Sequence, residues 1–355
     1  MENNHSQELS QFITDVINQS GSDIHLSEER YPTVRVNGEL LPLLQYRQLT
    51  RDDISKYLKD LAPASMLEDF EKNKELDFSY QYQEGSRFRG NAFVQQGKIG
   101  IALRLIPKAI RTLEELNLPL ILKEFTKKKQ GFFLVVGPVG QGKTTTLAAM
   151  IDLINQERAE HIITIENPTE YLYEQKKSII DQREVGIDTS EFYTALVSTL
   201  RQDVDVILVG EMRDKNTIAA AVTAAETGHL VYSTLHTNNA SQTIDRIIDS
   251  FPAEQQDQIR VQLAGSLMGI FSQRLIPRIS GGMIPAYELL INNNAVSNLI
   301  RERRTHEIDT VIETGSDQGM ISMDRTLAEL VKRGEITVES AYIQSLHPKI
   351  LERLL

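Results

Sequence analysis

The sequence predicts an α/β fold, with a mainly parallel sheet covered by helices on both faces, a smaller α+β domain before it and helices after it. Three observations lead there. From residue 131 onward, apolar runs of strand length alternate with helix-length segments. A Gly-rich turn joins the first of those runs to a helix. Before residue 107 the pattern is different, with short alternating runs that read as half-buried strands beside a leading helix.

Residues 1–107 open with an apolar-periodic helix over residues 7–18 and continue through strand-like runs at 33–40 and 87–94. A connector is expected over residues 108–130, with a short helix at 112–116. The core, residues 131–291, carries a strand running into Gly137, a helix from Lys143, and strands at 162–165, 206–209 and 230–234. Residues 292–355 read as an appended helical subdomain.

With 355 residues, 41% of them hydrophobic, the chain can build two cores without staples. The absence of cysteine excludes disulfides, thiolate metal sites and thiol nucleophiles. No apolar run reaches the ~18–20 residues that span a bilayer, and the first residues lack a signal peptide's basic start and apolar stretch, so membrane association is expected only through a partner. A formal net charge of −11 argues against nucleic acid as a ligand. The basic clusters at 127–129 and 301–304 are short and read as solvated helix faces.

Gly137-Pro138-Val139-Gly140-Gln141-Gly142-Lys143-Thr144 has the spacing of a phosphate-binding loop and stands between an apolar strand and a helix, where that chemistry needs it. Glycines let backbone N–H groups curl around phosphate oxygens at the positive end of the helix dipole. Lys143 is placed to reach the β/γ phosphates and Thr144 to offer a hydroxyl to Mg2+, with Thr145 next in the same turn. The expected ligand is ATP or GTP.

Two apolar strands end in carboxylates, Glu211 after residues 206–209 and Glu166 after 162–165. In a parallel sheet both would reach the loop's edge, where an acid can hold metal-bound water or act as a base. His236 follows a further strand and would join them there, whereas His229 opens the same strand, at least ~16 Å away by strand rise.

These pieces, in this order, resemble the secretion ATPase family of type II secretion and type IV pilus systems. Its acidic "Asp box" appears as Ile165-Glu166-Asn167-Pro168-Thr169-Glu170, its Walker B segment runs from Leu200 through Glu211 to Asp214, and its "His box" runs from Thr227 to Ala240 and contains His229 and His236. Gly21-Ser22-Asp23-Ile24-His25-Leu26 and Arg104-Leu105-Ile106-Pro107 resemble its N-terminal domain, so the likeness covers nearly the whole chain. Ala295-Val296-Ser297-Asn298-Leu299-Ile300-Arg301-Glu302 resembles a motif of the family's retraction ATPases, agreeing at six of eight positions. The chain departs from the family at Asn167, Val204 and Ser297.

The resemblance implies a PAS-like domain, a RecA-like P-loop core and a helical C-terminal subdomain, assembled as a homohexamer that hydrolyses ATP with Mg2+. It implies Glu166 as general base, Glu211 as a holder of the Mg2+ water shell, and His229 and His236 as links between nucleotide state and domain movement. Arg89 and Arg104, on the N-terminal domain, are the candidates for neutralising γ-phosphate charge. The implied role is pilus retraction at the cytoplasmic face of the bacterial inner membrane, through a membrane platform protein. A related ATPase driving pilus extension or export, an ATP-ordered ring acting as a binding module, and a nucleic-acid motor are the alternatives.

Overall fold

The computed structural model describes residues 2–19, 21–36, 38–82, 86–106 and 109–355, with side chains from residue 7 onward. They form two compact units, one of residues 1–109 with 168–172, the other of residues 110–167 and 173–355.

The first unit contains α1 (Glu2–Asn18), β1 (Asp23–Ser27), β2 (Thr33–Val36), β3 (Glu39–Pro42), α2 (Arg51–Leu61), α3 (Ala64–Asn73), β4 (Glu75–Tyr82), β5 (Ser86–Gln95) and β6 (Lys98–Ile106). Its sheet has the order β3-β2-β1-β6-β5-β4, with every pair antiparallel. Phe12, Ile13 and Val16 of α1 and Tyr57 of α2 pack against Ile24, Phe78, Phe88 and Leu103 from the strands. Helix α2 starts on a capping box, in which Thr50 Oγ1 accepts from Asp53 N and Asp53 Oδ2 accepts from Thr50 N. Segment 168–172 belongs to this unit, where Arg87 Nε donates to Thr169 O at 2.9 Å.

The second unit contains α4 (Leu122–Thr126), β7 (Gly131–Val136), α5 (Lys143–Glu157), β8 (His161–Glu166), β9 (Ile179–Glu184), α6 (Phe192–Thr199), β10 (Val206–Val209), α7 (Lys215–Glu226) and β11 (Leu230–Leu235). It continues with α8 (Ala240–Asp249), α9 (Ala253–Ser266), β12 (Leu267–Pro277), β13 (Met283–Ile291), α10 (Asn294–Arg301), α11 (Ile308–Thr314), α12 (Met323–Lys332), α13 (Val338–Gln344) and α14 (Pro348–Leu354). The sheet order is β13-β12-β7-β11-β10-β8-β9, parallel except for β13.

Strand alternation splits this unit's core in two. Phe132, Leu134 and Val136 of β7 face one layer with Ile207 and Val231, while Phe133 and Val135 face the other with Leu147, Met150 and Tyr232. A sheet buried on both faces explains why its strands read as unbroken apolar runs.

Several expectations need correction. Residues 112–116 form a turn, because Thr112 Oγ1 accepts from Glu115 N and Glu115 Oε2 accepts from Thr112 N, closing the chain locally. Asn117 then takes φ +56°, and the helix comes later, at α4. From Ile110 the expected connector is part of the second unit, since Leu113, Leu118, Leu122 and Phe125 are buried in its core. The boundary expected at Pro107 and Lys108 lies outside the described residues. The run at 33–40 is the hairpin β2–β3, with Gly38 at φ +87° on the reversal and Asn37 outside the described residues. The helices after residue 291 share a core with β12 and β13 through Ile276, Ile284, Ala286, Met323 and Leu327.

Phe133 is fully buried, with its ring 4.4 Å from that of Phe125 and 6.1 Å from that of Tyr232. Phe133→Ala should destabilise the second unit by about 3–5 kcal/mol, read from chemical denaturation of the full chain.

Candidate active site

Four parallel strands, β7, β11, β10 and β8, end along one edge of the second unit's sheet. The ladder continues past them, with Gly137 N donating to Leu235 O at 3.3 Å and Gly210 N donating to Ile165 O at 2.8 Å. That edge therefore collects the loop after β7, His236 after β11, Glu211 after β10 and Glu166 at the end of β8.

The loop needs its glycines. Gly137, Gly140 and Gly142 take φ of +145°, +77° and +78°, which side chains resist. A Cβ on Gly137 would lie 2.4 Å from Gln273 O. Helix α5 begins with Gly142 as N-cap and no side-chain cap. Its first-turn N–H groups, next to an ammonium, are suited to an anion. Pro138 and Gln141 are partly buried and Val139 is 80% exposed.

Lys143 is buried, and its Nζ donates to Gly137 O and Pro138 O at 2.8 Å each, curling the loop around it. Nζ also lies 3.3 Å from His236 Nδ1. Burial, followed by the positive charge of Lys143, lowers the pKa of His236, against an opposing pull from Glu211. A neutral ring accepts from the ammonium through Nδ1 and turns Nε2 toward Glu211 Oε2, 3.9 Å away. Arg213 holds the other carboxylate oxygen of Glu211 at 2.7 Å.

Glu166 is also buried, and Gly210 makes room for it. A Cβ on Gly210 would meet Ile165 O at 3.3 Å and Glu166 Cα at 3.4 Å. Thr144 and Thr145 are partly buried in the first turn of α5. Among the described residues no three His, Asp or Glu side chains cluster as a metal site. The Thr144 hydroxyl and the Glu211 carboxylate are oxygen donors, the chemistry that Mg2+ bound to a polyphosphate takes from a protein.

The structure brings Lys143, Glu166, Glu211 and His236 together and leaves His229 at the other end of β11, where its Nδ1 donates to Ala224 O at 3.0 Å. Arg89 and Arg104 lie on the first unit, where Arg89 pairs with Glu170 at 3.5 Å and Arg104 with Asp23 at 2.8 Å. The sequence reading passed over β12 and β13, which back the site. Ser272 Oγ donates to Asn238 O at 2.8 Å, and Glu288 Oε1 accepts from Ala240 N at 2.8 Å, pinning the turn after His236. The polar residues Ser272, Gln273 and Arg274 in β12 and Glu288 in β13, inside otherwise apolar strands, are the available signal.

The model of the type II/IV secretion system protein family matches residues 3–283. The type IV pilus retraction ATPase PilT of Pseudomonas aeruginosa is 44% identical over 91% of this chain and 94% of its own. A twitching motility protein of Neisseria gonorrhoeae is 43% identical over 87% of this chain and 83% of its own. A crystal structure of the pilus retraction motor PilT with bound ADP is 46% identical, covers 97% of this chain and 98% of its own, and superposes with a TM-score of 0.89. The second unit thus has the RecA-like ATPase architecture.

Burial pushes the pKa of Glu288 up to about 8 from 4.5. The native carboxyl stays protonated while the unfolded chain ionises, so stability is full below pH 4.5 and falls as pH rises toward about 8. The loss is about 1.4 kcal/mol per pH unit in that window. Glu288→Gln keeps an acceptor for Ala240 N and should remove most of this slope, measured by denaturation at pH 5 to 8.

Proposed function

The chain belongs to the type II/IV secretion system protein family, and we propose that it is the ATP-hydrolysing motor that powers retraction of a type IV pilus. It is an ATPase. The observation that carries this reading is the meeting, on one sheet edge, of the Lys143 loop with Glu166, Glu211 and His236.

The loop binds ATP, with the N–H groups of α5 and Lys143 on its phosphates and Thr144 and Glu211 holding Mg2+. The metal supplies charge neutralisation at the phosphate oxygens. Glu166 accepts the proton of the attacking water, and Glu211 and His236 respond to the state of the γ-phosphate. Six chains form a ring in which Arg89 and Arg104 of the first unit supply positive charge to the γ-phosphate, and His229 relays nucleotide state. Movement of the first unit converts hydrolysis into turning of an inner-membrane platform protein. The motor works at the cytoplasmic face of that membrane, and no described helix is long and apolar enough to cross it.

Relatives named for retraction and twitching favour retraction over assembly. One departure weakens the likeness to the retraction motif. Ser297 stands where the retraction motif has arginine, and its Oγ is turned inward, donating to Ala264 O at 2.9 Å and to Asn292 Oδ1 at 3.1 Å.

Glu166→Gln and Glu211→Gln should each lower kcat by at least ~100-fold while ATP binding persists, a range typical for losing a general base or charge-stabilising group. Wild-type turnover in both variants would remove the assignment. In the source cell, Lys143→Ala should leave surface pili present or in excess but unable to retract. Loss of pili would instead make the chain an assembly or export motor.

A further inference from the structure

Behind the phosphate loop stands one buried amide. Gln273, on β12, is 3% exposed and uses both ends of its side chain on the nucleotide-binding elements. Its Nε2 donates to the backbone oxygen of Gln141 at 2.8 Å, and its Oε1 accepts from Thr146 Oγ1 in α5 at 2.6 Å. Two residues along β12, Leu275 N donates to Gln141 Oε1 at 2.6 Å. Gly137 packs so closely that an added Cβ would touch Gln273 O, and one on Gly142 would lie 3.0 Å from Gln273 Nε2.

This contact has a chemical consequence for the loop. A trans peptide is planar, so the carbonyl of Gln141 and the N–H of Gly142 point in opposite directions. Fixing the carbonyl toward β12 aims the Gly142 N–H away from β12. Gly142 has φ +78° and no Cβ to resist rotation, so its flanking peptides need an outside hold. An amide fits because it donates and accepts at once, whereas a carboxylate only accepts and an ammonium only donates. The second bond, to Thr146, keeps the amide from flipping and ties loop and helix to one support.

We propose that Gln273 is a positioning residue for phosphate binding, holding the Gln141–Gly142 peptide so that its N–H is presented to the nucleotide. It does not touch the reacting atoms. The proposal rests on the reading of the Lys143 loop as the ATP site, and its test separates the two.

Full-length Gln273→Met has similar length and no amide. It should raise the KM for ATP and weaken ADP binding about 5- to 20-fold, the range for losing one hydrogen bond to a binding group, while kcat changes less than about 3-fold. Gln273→Glu should be weaker still, since it cannot donate to Gln141 O and adds negative charge behind the phosphates. Thr146→Val removes only the bond that stops the flip and should shift KM less than Gln273→Met.

A purely structural Gln273 would predict lower thermal stability and a smaller active fraction with KM and ADP affinity unchanged, and that result overturns the proposal. If Gln273→Met does not fold, Gln273→Asn, with its amide one methylene short, is read by the same criterion. Lys143→Ala serves as reference. ATP turnover surviving in Lys143→Ala removes the site itself, whereas loss there beside an unchanged KM in the Gln273 variants removes only this role.

Discussion

Parallel hydrogen bonding among β7, β11, β10 and β8 is the constraint on which the site depends. The loop, His236, Glu211 and Glu166 come from four separated stretches of chain, and only strands running the same way deliver all four to one edge. Register matters as much as direction. Tyr232 lies opposite both Phe133 and Leu208, so β7 and β11 end level at Val136 and Leu235 while β10 ends two residues earlier, with Val209 opposite Ser233, and the bonds from Gly137 to Leu235 and from Gly210 to Ile165 extend the ladder into the loops. Burial of both faces holds the sheet, since a slip of one residue would move each strand's side chains into the opposite layer.

The β12–β13 hairpin supplies a second support at right angles to the sheet's own logic. Three consecutive residues of β12 reach different parts of the unit. Ser272 holds the turn after His236, Gln273 holds the phosphate loop and α5, and Arg274 NH1 donates to Gln344 O at the end of α13. Alternation of side chains along a strand makes this division possible. Glu288 of β13, buried opposite Ser272, adds a hold on the first residue of α8. The electrostatics of the edge follow from these supports. Lys143 and Glu211 flank a neutral His236, so the three side chains form one connected set.

What was legible in the residues, and what was not, divides along the range of the interaction concerned. The phosphate loop is a local device, in which glycines at required positive φ and an adjacent lysine write the motif into eight consecutive residues. Glu166, Glu211 and His236 were legible because each follows an apolar strand. β12 was hidden, because Gln273 and Arg274 interrupt its apolar run and its partners Gln141 and Gln344 are more than sixty residues away. The turn at 112–116 is not told from a helix by its residues, because its Thr-x-x-Glu pattern also opens helices, and only Asn117 and Pro119 end it.

The sequence by itself determined the fold class, the family, the phosphate loop and the strand ends that carry acid and imidazole, because backbone conformation and burial periodicity are set by neighbouring residues. Tertiary structure alone decided which side chains meet. It placed His236 against Lys143 while keeping His229 apart, assigned residues 168–172 to the first unit and 110–130 to the second, and set Gln273 behind the loop. Contacts of that kind depend on strand order and register, which arise from the packing of distant segments and leave no periodic trace in the chain.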